Sequence, residues 1–193
     1  MYKTKSHKDS NRKYTQFIKG PLFTRILLAA IVLFILSFFI NIKMILFLIA
    51  AIVFNASLVT FQLDKGLPTD FELSTFTTVI MTMAFGLKAG IIAAIATKII
   101  ASVYTGSIIV DHMFMIGTYI FGALIANYFG GVGLPLIGFI IVITNNLIMF
   151  NISKFIIGLP ITDNLAYTLT NFIFNMVVFS AFSSIVYYLV RPG

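Results

Sequence analysis

From residue 21 onward the chain is a succession of apolar runs broken by short clusters of glycine, proline, asparagine and charge. A membrane crossing needs about 20 predominantly apolar residues, and the runs are read against that length. Leu22–Ile40 makes a first span and Met44–Phe61 a second, after the break at Asn41-Ile42-Lys43. Hydropathy does not say whether that pair is a hairpin of two helices or one bent element.

Gln62–Ser74 holds Gly66, Pro68 and three acids, and is expected as an aqueous loop. The stretch 70–105 follows, and the rest of the chain is arranged around it. It is too apolar for a wet surface and is broken at Gly86-Leu87-Lys88-Ala89-Gly90, so it predicts two short helices, Thr75–Phe85 and Ala89–Tyr104, joined by a tight turn. The first is short for a full crossing unless it starts near Asp70. Thr105–Asp111 is a loop, His112–Phe129 a fifth span, and residues 130–135 a turn. Leu136–Asn151 and the long Leu165–Val190 complete the series. All five prolines fall at or near these boundaries, where a missing N–H is tolerable.

Composition agrees with the pattern. Sixty per cent of the residues are apolar and ten per cent charged, with a mean hydropathy of +1.04, against about 25% charged in soluble domains. The fold class expected is all-α, a polytopic transmembrane bundle of six to seven helices. Residues 1–20 form a basic tail and 21–193 a single transmembrane domain.

The net charge of +7 does not mark a nucleic-acid face, because seven of the thirteen Lys and Arg lie in the first 25 residues. A basic segment before the first apolar run holds an N-terminus in the cytoplasm. Two orientations remain open for the rest. In one, every segment crosses and Lys88 and Arg191 face outward. In the other, 22–61 supplies one net crossing and the acidic loops, with Asp64, Asp70, Glu72, Asp111 and Asp163, fall outside. Nine basic residues lie inside in either case, so the charge rule does not choose between them.

Chemistry is sparse. There is no cysteine, no HExxH pair, no phosphate-binding glycine loop and no GxSxG elbow. Neither an enzyme nor a metal or cofactor site is expected. Lys98 lies about 13 Å into its predicted helix, where a charge is paired or lines a cavity. The alternative is a lysine that snorkels or is neutralised for structure alone. Gly86, Gly90, Ala94 and Lys98 are spaced by four, and Thr118, Gly122, Ala126 and Gly130 repeat the pattern. Small rows of this kind bring helices into close contact in lipid.

Asn145 and Asn146 lie mid-span, and Thr168, Asn171 and Asn175 share one face of the last helix. They either clamp helices together or line a polar pocket. With Lys98, Tyr104 and Tyr119 they frame a site for a small polar or anionic molecule. Asp70, Glu72, Asp111 and His112 stand at membrane edges and read first as solvated loop charges.

The order of signals in residues 62–129 resembles a known family. An acidic, proline-bearing loop leads to a short helix, then Phe85-Gly86 and Gly90, a small-residue helix, a loop, and a helix with Gly122 and Ala126. This is similar to the substrate-binding S components of energy-coupling-factor vitamin transporters, and to the distantly similar rod-shape-determining membrane proteins. The first resemblance implies a six-helix bundle that binds a vitamin-like molecule near its outer face. Residues 62–74 would be a lid with Asp70 and Glu72 at its entrance, and a transmembrane coupling protein and ATPase subunits would be partners. The Ala-x-x-x-Ala docking face of that family is not clean in Leu22–Ile40 or Met44–Phe61.

The expected function is therefore a multi-pass cell-membrane subunit that binds a small molecule through Lys98, Asn145, Asn171, Asn175, Tyr119 and Glu72. The alternative is a non-catalytic membrane scaffold of an envelope or cell-shape complex, its partners being the bilayer and other proteins.

Overall fold

The structure, a computed structural model, describes residues 41–66, 68–107 and 110–192. The basic tail 1–20 and the expected span Leu22–Ile40 lie outside these residues. Six α-helices are described: α1 Ile42–Lys65, α2 Ser74–Phe85, α3 Leu87–Thr105, α4 Val110–Tyr128, α5 Leu134–Ile152 and α6 Ile161–Val190. Four segments among the described residues are long and apolar enough to cross a membrane. These are α1, α3, α6, and α5 together with the π-helical turn Ser153–Ile157 that prolongs it. The described residues are thus helical apart from short connections, with four segments that fit a multi-pass membrane protein.

The helices depart from their expected bounds at identifiable places. α1 continues past Phe61 to Lys65, because Gln62 stays within the helix and returns its amide to the Leu58 carbonyl at 3.0 Å. α6 starts at Ile161, directly after Pro160, whose fixed φ suits a helix start and whose missing N–H costs nothing there. α2 and α3 are separated by Gly86 alone, with φ +88°, a backbone conformation open to glycine and strained for other residues.

The largest departure concerns the acidic loop. Residues 68–73 do not stay outside the bundle; they descend into it. Leu73 N–H donates to Asn55 Oδ1 at 2.7 Å, and Asn55 Nδ2 reaches Ser74 Oγ at 3.2 Å and the Thr97 carbonyl at 3.3 Å. Asn55 lies ten residues before the end of α1, about 15 Å along the helix. α2 therefore begins part-way down the bundle, which is why twelve residues suffice for it. It occupies the centre, packed on α3, α4, α5 and α6, with every residue from Ser74 to Thr82 buried.

Irregular backbone at that depth survives only where protein covers it or a cavity adjoins it, and its polar groups must be paired. Two helices supply the partners. From α1, Gln62 accepts the Phe71 N–H at 2.7 Å and donates to the Phe71 carbonyl at 2.9 Å. From α6, Thr170 Oγ1 accepts the Asp70 N–H at 3.0 Å, and Asn175 Nδ2 donates to the Glu72 carbonyl at 3.4 Å. The segment is a strap held between α1 and α6.

Small residues set the helix spacing. A Cβ on Gly90 would strike Thr82 across the α2–α3 contact, and one on Gly138 would enter the ring of Phe179 on α6. A Cβ on Gly122 would lie 2.8 Å from Ile141 Cγ2. Gly90 and Gly122, one from each row noted in the sequence, thus pack inward within this chain, whereas Gly130 is exposed.

Candidate functional site

The strap delivers two carboxylates to the interior. Glu72 is buried and pairs with the buried ammonium of Lys98 on α3, Nζ to Oε2 2.7 Å. Its second oxygen, Oε1, has no hydrogen-bond partner among the described residues. Asp70, half-buried, accepts a bond from Asn171 Nδ2 at 3.0 Å through Oδ2. Asn171 Oδ1 in turn accepts from Asn146 Nδ2 at 3.0 Å and from Asn175 Nδ2 at 3.3 Å. α5, α6 and the strap are joined by this amide chain.

Burial and, after it, the charge of Glu72 raise the Asp70 carboxyl to about 7, although Lys98 and the Asn171 amide oppose the shift. Asp70 thus changes charge near neutral pH.

Above these groups lies a cavity of about 330 Å³, within the roughly 300–1,000 Å³ of small-molecule sites. The strap lends it Thr69 and Asp70, α3 lends Lys98, and α4 lends Asp111, His112, Met115 and Tyr119. α5 contributes Asn145, Asn146 and Met149, and α6 contributes Asn164, Thr168 and Asn171. The π-helical turn supplies Ser153 and Ile157. Such turns widen a helix and recur at functional sites; here Asn164 Nδ2 caps the Phe150 carbonyl at 2.9 Å.

The cavity has a mouth and a floor. Asp111 is in the first turn of α4 and Tyr119 eight residues further, about 12 Å deeper. Asn145 on α5 closes the floor, above Gly122 of α4. Asn145 is 4% exposed, and neither its Oδ1 nor its Nδ2 has a partner among the described residues. Asp111 Oδ1 is likewise unpartnered, whereas His112 Nδ1 lies 2.8 Å from Ser102 Oγ.

Of the residues expected to form a site, Lys98, Tyr119, Asn145 and Asn171 line the cavity. Glu72 and Asn175 stand behind the wall, the first as the counter-ion of Lys98 and the second as the amide bonded to the Asn171 carbonyl at 3.1 Å. Tyr104, also named with them, is 72% exposed and away from the cavity. Asp70, Asp111 and His112, read as loop charges, are instead cavity groups. Asn55 and Gln62 are not among the expected site residues, although Asn55, a lone amide in the apolar run 44–61, carries the same signal as Asn145.

The arrangement holds polar, hydrogen-bonding and acidic groups in a partly apolar recess. Among the described residues no three His, Asp or Glu side chains are gathered as a metal centre. Comparisons with protein families, with curated proteins and with solved structures find no match for this chain.

Proposed function

We propose that this protein is a membrane-embedded subunit that binds a small molecule in the cavity between the strap and α3–α6. The observation that carries the reading is the amide of Asn145, buried at the cavity floor with donor and acceptor both unpartnered. Leaving a buried polar group unsatisfied costs about 1–3 kcal/mol, a cost that a bound molecule with a matching donor and acceptor removes. Among the described residues Asn145 is the buried amide with both ends unpartnered; Asn175 leaves only its Oδ1 so, its Nδ2 being bonded to Glu72 and Asn171.

The cell membrane is the proposed location. Lys43 Nζ lies 3.2 Å from the Arg191 carbonyl, so the start of α1 and the end of α6 share one edge with positive charge. Asp64, Asp70, Asp111 and Asp163 belong to the other. Of the two orientations, this reading takes the one in which the acidic loops fall outside, so that the Lys43–Arg191 edge is cytoplasmic and the cavity opens outward, with Lys65 and Lys154 standing among the acids at its edge. The chain acts without catalysis in this reading. Any uphill transport is driven by partner subunits, a transmembrane coupling protein and ATPases, as the resemblance to energy-coupling-factor S components implies.

A scaffold reading is favoured by one observation, the bonding of Asn55 to the strap, α2 and α3 and of Asn171 to the strap and α5. Native mass spectrometry on the protein extracted gently from its own host separates the two. A stoichiometric adduct of small mass that disappears in Asn145→Leu supports the binding subunit. A bare chain in stable complex with another envelope protein supports the scaffold.

A further inference from the structure

The ligand's charge class follows from how the cavity's own charges are disposed, on the premise that the cavity is a binding site. Lys98 is the cation on the wall, and it is committed to Glu72 at 2.7 Å. An anionic ligand would have to displace a buried carboxylate from that ammonium. Around the pair stand Asp70 and Asp111, so three carboxylates face one ammonium. Asp111 Oδ1 is unpartnered among the described residues. An independent observation comes from the floor, where the buried Asn145 amide offers one acceptor and a donor group to the cavity. Between mouth and floor, Met115 and Met149 provide apolar, adaptable wall.

We propose that the molecule bound here is an organic cation of the amine or amidinium class. Its charged end lies toward Asp70 and Asp111 at the mouth, and a neutral hydrogen-bonding end meets Asn145 at the floor. Of the small polar or anionic molecule expected from the sequence, this keeps the polar character and replaces the anionic one. Inorganic cations are a poorer match, since hard metal ions take about six or more oxygen ligands and no such group is gathered among the described residues.

The test uses the purified full chain in detergent and three matched probes, benzamidine, benzamide and benzoate, together with the biphenyl homologue of each. Because the chain has neither Trp nor Cys, thermal stability is read as the fraction of monodisperse protein after heating, and affinity by equilibrium dialysis. The amidines should raise the melting midpoint, the amides and carboxylates should do so much less, and Asp111→Asn should weaken the amidines about tenfold or more. Asp70→Asn serves as the second variant should Asp111→Asn fold poorly. Preferential binding of the carboxylates, or equal binding of amides and amidines, overturns the cationic assignment while leaving a binding subunit standing. No response to any probe also overturns the assignment. If no adduct is seen in the host-extracted protein either, the binding reading falls with it.

Discussion

The ammonium of Lys98 and the carboxylate of Glu72 meet at 2.7 Å although 26 residues separate them in sequence, because the strap after α1 turns inward and ends level with the middle of α3. The pair is buried, with Lys98 on the cavity wall and Glu72 behind it, and each partner is the other's neutralising charge. Removing one leaves an uncompensated buried charge, which typically costs about 3–5 kcal/mol. Lys98→Met and Glu72→Gln are therefore each expected to lower thermal stability sharply. The double variant Lys98→Met/Glu72→Met should recover most of the loss, because buried pairs exchanged for apolar residues are often neutral. A thermal-denaturation double-mutant cycle in detergent checks this, and an additive double variant would sink it.

That coupling changes which substitution tests function. Lys98→Ala and Asn175→Ala disturb the fold whatever the chain does, since one leaves the buried Glu72 without its counter-ion and the other unties the strap at the Glu72 carbonyl. Asn145 bonds to no described residue. Asn145→Leu, close in size, should hold or raise stability by about 1–3 kcal/mol, the cost of the unsatisfied amide, while abolishing the small-molecule adduct. Loss of stability in Asn145→Leu would show that the amide is a structural fastener.

How much of this was legible in the sequence depends on range. The helices could be read because apolar length and Gly or Pro punctuation are local signals; Leu87–Thr105 and Ser74–Phe85 fall within two residues of their expected bounds. Lys98, Asn145 and Asn171 stood out because a polar group in an apolar run must be satisfied somewhere. The strap could not be read. Pro68, Asp70 and Glu72 have the composition of a wet loop, and only Asn55, Gln62, Thr170 and Asn175 on two distant helices make a buried path tolerable. Thr170 and Asn175 reach the strap from a hundred residues away, and partners so distant leave no trace in a window of ten. The Lys98 counter-ion and the acidic sign of the cavity were hidden for the same reason.

Close helix contacts give a steric prediction. Gly138 faces the Phe179 ring with no room for a Cβ, so Gly138→Ala forces a buried aromatic to shift, a change that usually costs about 1–3 kcal/mol. Gly117, also within a helix, has nothing within 4 Å of its Cβ position. Gly117→Ala should be neutral or stabilising by about 0.5–1 kcal/mol, the helix penalty of glycine. Heating curves of the two variants side by side test the α5–α6 packing; equal effects would mean that the two helices are not in that contact.

Asp70 makes the molecule sensitive to pH near neutrality, with opposite signs for folding and for binding. The groups that act on it are Glu72, Lys98 and Asp111, together with the Asn171 amide. Its folded value of about 7 lies above the ordinary 3.8, so the folded state holds the proton more tightly than the unfolded chain. The resulting stability is fully present below about pH 4 and is lost as pH rises through 7. Asp70→Asn, which cannot ionise, should flatten the decline between those limits. Binding of a cation runs the other way: deprotonation adds a negative charge at the cavity mouth, so benzamidine affinity should rise between about pH 6 and 8 in the native chain and stay flat in Asp70→Asn. Melting midpoints and dialysis across that range measure both slopes. An affinity that falls with rising pH would mean that the protonated carboxyl, acting as a hydrogen-bond donor, is the form that holds the ligand.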